Sequence, residues 1–124
     1  MIKGVINIDE LIKKSQWLRK EQFELVMQDK VGHFPSSSSL AEICIALFYG
    51  MIMNYSPGNP KWEDRDRLII SEGHAGMAIY PILEDLGFIK RGELKKFSHP
   101  NGILKFYPDQ TIPGFEAITG SLGH

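Results

Sequence analysis

Residues 68–71, Leu-Ile-Ile-Ser, form a short apolar run that reads as one buried β-strand. A strand cannot stand alone, because its N–H and C=O groups need partners and a parallel sheet needs several strands joined by crossovers. The run leads into Glu72-Gly73-His74-Ala75-Gly76, and apolar residues then recur at helical spacing through Met77, Ile79, Tyr80, Leu83 and Leu86. The pattern predicts strand, sharp turn, then a helix over residues 75–86, with Pro81 marking an early turn or a kink and Gly87 as the end cap. His74 then sits at the C-terminal edge of the strand, where open α/β folds place ligands. The expectation is an α/β fold that is mostly helical, with one or a few parallel strands, and incomplete as it stands.

The other elements are helical or irregular. Asn7 followed by Glu10 reads as a cap with its reciprocal acid, and the apolar spacing predicts a first helix over residues 8–28. A loop is predicted over residues 32–38, with Ser39 and Glu42 forming a second capping box for a buried helix over residues 40–53. Short polar residues ahead of a helix suit an anion, though an ordinary serine-rich lead-in explains them equally. Residues 54–66 read as turns, 90–97 as a short helix, and 98–114 as loop, with a hairpin or flap at residues 103–107.

The balance of 14 basic and 15 acidic residues gives a net charge of −1, so no strong field directs the chain to nucleic acid or anionic lipid. Cys44 is the one cysteine, which excludes an internal disulfide. No apolar run reaches membrane-spanning length and no signal-peptide pattern opens the chain, so a cytoplasmic location is expected.

His33, His74 and His99 each lie beside a glycine or a proline. Imidazoles in such turns suit proton transfer or hydrogen bonding to a polyol or a phosphate; scattered surface histidines are the alternative. Their spacing fits no compact zinc motif. No serine-nucleophile elbow or Walker loop is present, and Gly120 to Gly123 is a weak Gly-x-x-Gly.

Taken together, four blocks resemble the N-terminal part of the transketolase family, in the family's order. They are GHFPSSSSLAEICIALFYG, DRDRLIISEGHAGMAIYPILEDLGFI, SHPN and PGFEAITGSLGH. The resemblance implies that residues 1–124 are the N-terminal segment of a thiamine-diphosphate-binding domain. It implies transfer of a two-carbon ketol unit between (phospho)sugars, with thiamine diphosphate supplying the carbanion chemistry. It also assigns roles by residue. His33 would reach toward sugar hydroxyls and the cofactor's reactive end. His74 would contact the diphosphate and the substrate side. His99 would line the channel. Gly120 and Leu122 would approach the cofactor by backbone and apolar contact. Neutral imidazoles there can donate to oxygens that gain charge, without a metal of their own.

Three departures qualify this. Phe34-Pro35-Ser36-Ser37 stands where the family has Pro-Gly-Gly or Pro-Gly-Ala. GILKFYPDQTI, residues 102–112, is a longer insert than expected. The sequence reaches His124 where the family continues into a Gly- and Ala-rich helix, and then into the Gly-Asp-Gly block and asparagine that hold magnesium. The expectation is therefore a component of a split enzyme, catalytic only with companion chains that carry the magnesium motif and the pyrimidine-binding region. This chain alone would bind neither thiamine diphosphate nor Mg²⁺ tightly. Apolar faces such as that of residues 40–51 would await those partners. A non-catalytic, truncated binding or scaffold module is the alternative.

Overall fold

The computed structural model describes residues 7–29, 34–97, 99–105, 108–117 and 119. Among these residues there are four α-helices: α1 (Ile8–Asp29), α2 (Phe34–Ser39), α3 (Ala41–Tyr49) and α4 (Tyr80–Leu86). Two 3-10 segments, Gly73–Ile79 and Leu94–Lys96, precede and follow α4.

α1 starts where its sequence requires. Asn7 Oδ1 accepts the N–H groups of Asp9 at 2.8 Å and Glu10 at 3.3 Å, satisfying donors that have no partner inside the helix. Its inner face carries Leu18 and Leu25 into a core shared with Ile45 and Phe48 of α3 and Ile82 and Leu83 of α4. Burying each such side chain contributes about 1.5–3 kcal/mol. A polar cluster joins the same three helices. Lys14 Nζ lies 3.1 Å from Asp85 Oδ2, which also accepts the Tyr49 hydroxyl at 2.5 Å. The ammonium sits 4.0 Å from the centroid of the Trp17 ring, a cation–π distance. Burial, followed by the hydrogen bond to Asp85, pushes the Tyr49 phenol pKa far up.

The predicted strand is not formed. No strand exists among the described residues, and residues 67–72 carry neither helix nor ladder. The helical part of the fold-class expectation holds, but the parallel strands do not appear, because extended backbone becomes a strand only when a neighbour pairs with it.

The predicted loop over residues 32–38 is also corrected, since residues 34–39 are helical. Pro35 sits in the first turn, where its fixed φ suits a helix and its missing N–H costs nothing. The serines serve packing: Ser37 is fully buried, and Ser38 Oγ accepts Arg19 Nε at 3.0 Å. Ser39 is no cap, since its hydroxyl donates to Ser36 O at 2.8 Å and α3 begins without a side-chain cap. Glu42 instead pairs bidentately with Arg19 (NH2 to Oε1, 2.5 Å), an exposed pair worth at most about 1 kcal/mol.

α3 ends at Tyr49, four residues before the predicted Met53, because Gly50 closes it and Met51 turns left-handed at φ 61°. Gly87 ends α4 as expected. It adopts φ 92°, its N–H donates to Leu83 O at 3.1 Å, and Phe88 N–H donates to the same carbonyl at 2.9 Å. The helix expected over residues 90–97 is reduced to the 3-10 turn Leu94–Lys96. No hairpin forms at residues 103–105, and residues 106 and 107 lie outside the described residues.

Candidate functional site

The Gly73–Ile79 segment is the floor of the candidate site, and it packs along α2. The chain arrives extended, with Glu72 at φ −77° and ψ 94°, and then winds tightly as Ala75 N–H donates to Glu72 O at 2.9 Å. Ala75, Gly76, Met77 and Ala78 are all buried. Small side chains here let other backbone come close. A Cβ placed on Gly76 would lie 2.6 Å from Pro108 Cδ and 3.6 Å from Thr119 Cγ2. Pro108 and Thr119 are joined in turn: Pro108 O accepts Thr119 N–H at 3.1 Å and Thr119 Oγ1 at 2.8 Å. On the opposite side, Gln22 of α1 is fully buried and donates from Nε2 to Ala78 O at 3.0 Å.

Tyr80 extends this floor toward His99. Its ring stacks edge-on against Phe97, with centroids 6.0 Å apart, and its hydroxyl donates to Lys105 O. The hydroxyl oxygen also accepts Lys105 N–H at 3.1 Å. Burial pushes the phenol pKa upward. Between these anchors, His99 N–H donates to Lys96 O at 2.9 Å and His99 O accepts Gly102 N–H at 3.0 Å. His99 itself is exposed. The loop before residue 119 is held by Arg65 and Glu116, whose bidentate pair spans 2.9 Å (Nε to Oε2) and 2.7 Å (NH2 to Oε1). Both side chains are only 12–13% exposed. The hydrogen bond from Arg65 holds the Glu116 carboxyl below its ordinary pKa.

The structure therefore gathers the segments that carry the predicted residues, although several of those residues fall outside what is described. His33, Gly120 and Leu122 lie outside the described residues. α2, which begins at residue 34, and Thr119 both flank the Gly73–Ile79 segment. The backbone of His74 lies within that segment, and its side chain is outside the description. His99 is on the neighbouring loop, between Phe97 and Lys105, both of which meet Tyr80. Gly76, Gln22, Tyr80 and the Arg65–Glu116 pair were not singled out from sequence. Arg65 and Glu116 stand inside the quoted DRDR and PGFE blocks, but a pairing across 51 residues has no local signal. A cleft of about 460 Å³ lies elsewhere, lined by residues such as Met51, Tyr55 and Trp62.

The donor set on the described part of the site is imidazole, hydroxyl and backbone. That set suits sugar hydroxyls and the organic part of a cofactor. Its fit to a diphosphate–magnesium group is poor, because no group of three His, Cys, Asp or Glu among the described residues is placed to hold a metal. No helix among the described residues is long and apolar enough to cross a membrane.

Comparison with known proteins follows the same lines. A family profile described as "Transketolase, thiamine diphosphate binding domain" matches residues 11–124. The chain is 35% identical over 119 residues to one subunit of the apulose-4-phosphate transketolase of Phocaeicola vulgatus, covering 96% of this chain and 42% of that protein. It is 34% identical over 115 residues to a 6-deoxy-6-sulfo-D-fructose transketolase subunit of Clostridium sp., covering 92% of this chain and 42% of the relative. Against the transketolase of Aquifex aeolicus it is 36% identical over 125 residues, covering 99% of this chain and 18% of the relative. Among solved structures, the transketolase of Campylobacter jejuni superposes with a TM-score of 0.83 at 31% identity, covering 92% of this chain and 18% of that one. The chain thus spans less than half the length of these relatives.

Proposed function

Because this chain belongs to the transketolase family, we propose that it is a component of a split transketolase-like enzyme that transfers a two-carbon ketol unit between (phospho)sugars. In this reading residues 1–124 are the N-terminal segment of the thiamine-diphosphate-binding domain. Companion polypeptide brings the Gly-Asp-Gly magnesium motif and the pyrimidine-binding region, and the assembly works in the cytoplasm. One observation carries the reading: the similarity to a relative named as one subunit of a transketolase runs over 96% of this chain, which takes in the histidine-bearing blocks.

When bound, thiamine diphosphate supplies the carbanion chemistry. The chain's own residues bind and orient. The backbone of His74 lies in the Gly73–Ile79 segment, and its imidazole would meet the cofactor's phosphate side and the substrate. His33 and His99 hydrogen-bond substrate hydroxyls, and Gly120 and Leu122 approach the cofactor by backbone and apolar contact. In this reading the magnesium site is assigned to the companion.

A second reading, a non-catalytic binding or scaffold module, is favoured by one observation. Where the family has a small-residue loop, this chain has the helix α2, with Phe34 packed edge-on against Phe23 at 5.5 Å between centroids.

The deciding experiment is native mass spectrometry of the protein from its own cells with Mg²⁺ and thiamine diphosphate, followed by turnover of the isolated complex. The split enzyme predicts a stoichiometric complex that carries the cofactor, in which His74→Ala abolishes ketol transfer and leaves assembly intact. Unchanged turnover in that variant removes the catalytic assignment, and a cofactor-free monomer supports the scaffold reading.

A further inference from the structure

We propose that the cleft lined by Met51, Met53, Tyr55 and Trp62 binds a small neutral molecule with a planar aromatic ring and an amide or hydroxyl edge. The inference goes beyond the proposed function and does not depend on it. The cleft measures about 460 Å³, within the range usual for small-ligand sites. None of its described lining residues belongs to the segments that build the candidate site above. One edge is made by a strained residue. Met51 takes φ 61°, a conformation unfavourable for a side chain of its size, and leaves 64% of its surface exposed. Strain of this kind persists at ligand sites more often than elsewhere.

Bonds within the chain hold the cleft in shape. Asn54 N–H donates to Asp66 Oδ2 and Asp66 N–H donates to Asn54 O, both at 2.7 Å, so the ends of the 54–66 loop are clasped. Compact surface loops with joined ends are frequently functional. Inside the clasp, Asn59 N–H donates to Ser56 O at 3.0 Å and Trp62 N–H donates to Asn59 O at 2.9 Å. Trp62 O accepts Arg65 NH1 at 2.8 Å, and Arg65 is fixed in turn by Glu116. Tyr55 is the inner wall. It is buried, its ring centroid lies 5.3 Å from that of Phe48 and 5.7 Å from that of Phe88, and its hydroxyl donates to Phe48 O. A site built from parts already fixed loses little freedom on binding.

The lining selects the class of ligand. Among the described residues, the Trp62 ring stacks on no other ring, and no hydrogen bond engages its indole N–H, the side-chain amides of Asn54 and Asn59 or the Ser56 hydroxyl. The flat indole face takes an aromatic ring. The thioethers of Met51 and Met53 adapt to its outline and make favourable sulfur–aromatic contacts. The two amides offer donors and acceptors that match an amide or hydroxyl edge. No described lining residue is charged, so a phosphate or carboxylate would lose water there without gaining a partner. A sugar phosphate is thereby excluded as the occupant.

Nicotinamide is the probe, being neutral and planar with an amide edge. Titrated into the chain, it should shift the Trp62 indole signal saturably in a proton–nitrogen correlation spectrum, with a dissociation constant of about 1 mM or lower. The indole signal of Trp17, on α1, should stay in place. Nicotinate carries a carboxylate where the probe has its amide, and cyclohexanecarboxamide keeps the amide without the ring; each should bind about tenfold more weakly or worse. Trp62→Ala should weaken the probe about tenfold, read at the Ser56 amide. Asn59 is exposed, so Asn59→Ala keeps the fold and should weaken the probe by about threefold or more. The proposal is refuted by the absence of a saturable shift up to about 20 mM, or by an equal response at Trp17. It is refuted equally by nicotinate binding as tightly as nicotinamide, or by unchanged affinity in Asn59→Ala. Each of these outcomes leaves the split-enzyme reading as it stands.

Discussion

Gly76→Ala sets two opposing effects against each other. The backbone at Gly76 is not left-handed, so alanine is sterically acceptable to the main chain itself. Restricting the unfolded chain would then stabilise the protein by about 0.4–1 kcal/mol. Against this, the new Cβ would lie 2.6 Å from Cδ and 2.8 Å from Cγ of Pro108, where carbons rest at about 3.5–4.0 Å. Pro108 cannot yield by a rotamer change. It is fully buried, and its carbonyl holds both the N–H and the hydroxyl of Thr119. Overpacking of this kind costs about 1–3 kcal/mol, so the steric effect wins and the net loss is about 1–2 kcal/mol. At about 3–5 °C per kcal/mol for a domain of this size, thermal unfolding followed by circular dichroism should show a fall of about 3–10 °C. Gly58→Ala is the control. No atom lies within 4 Å of its added Cβ, so Tm should hold or rise by a few degrees. If Gly76→Ala melts at or above the wild-type temperature, Pro108 does not seat on the Gly73–Ile79 segment, and the construction of the site floor is wrong.

Three further outcomes are expected. Tyr80→Phe removes the hydroxyl that bridges both backbone groups of Lys105 and should cost about 1–3 kcal/mol in urea unfolding, with faster exchange of the Lys105 amide; an unchanged midpoint counts against that bridge. Met51→Gly relieves a left-handed residue that is 64% exposed, so stability should rise by about 1 kcal/mol with little packing lost; a lower urea midpoint refutes the strain. In acid, hydrogen bonds from Lys105 and Thr111 hold the Asp109 pKa down to about 2, from an ordinary 3.8. A depressed carboxylate contributes stability above its unfolded pKa and loses it as pH falls from 3.8 through about 2. Lys105→Met should flatten the decline in Tm across that window, and an identical slope removes Lys105 from the account.

What the sequence made legible was local. The first helix, its Asn7 cap and the Gly87 end cap follow from side-chain chemistry within a few residues, and each is found in place. The buried character of α3 follows from its spacing, and the partly uncovered face expected of it is visible at Ile43. The failures have non-local causes. Serine is a poor helix former by propensity, yet residues 36–39 are helical because Arg19, distant in sequence, takes Ser38 as a partner and Ser37 is buried. Residues 68–71 read as a buried strand, but no strand forms among the described residues and Ile69 is 60% exposed, because a strand depends on a paired neighbour that local pattern does not specify. The position of His74 on a tight turn was legible from Gly73-His74-Ala75-Gly76. The supports of that turn, Gln22 and Pro108, were not, because each meets it only through tertiary contact.

The Arg65–Glu116 pair has a further consequence for chain entropy. It fastens the two ends of a 51-residue loop that carries both His74 and His99. Closure entropy grows only with the logarithm of loop length, so deleting all eleven residues of the 102–112 insert would change that term by only about 0.2 kcal/mol. Closure entropy therefore places little constraint on loop length, and the constraint comes from contacts within the loop. Its fixed points are Lys105 on Tyr80 and Pro108 over Gly76. Between such points, segments beside His99 can lengthen or shorten without loosening the contact of Pro108 with the Gly73–Ile79 segment.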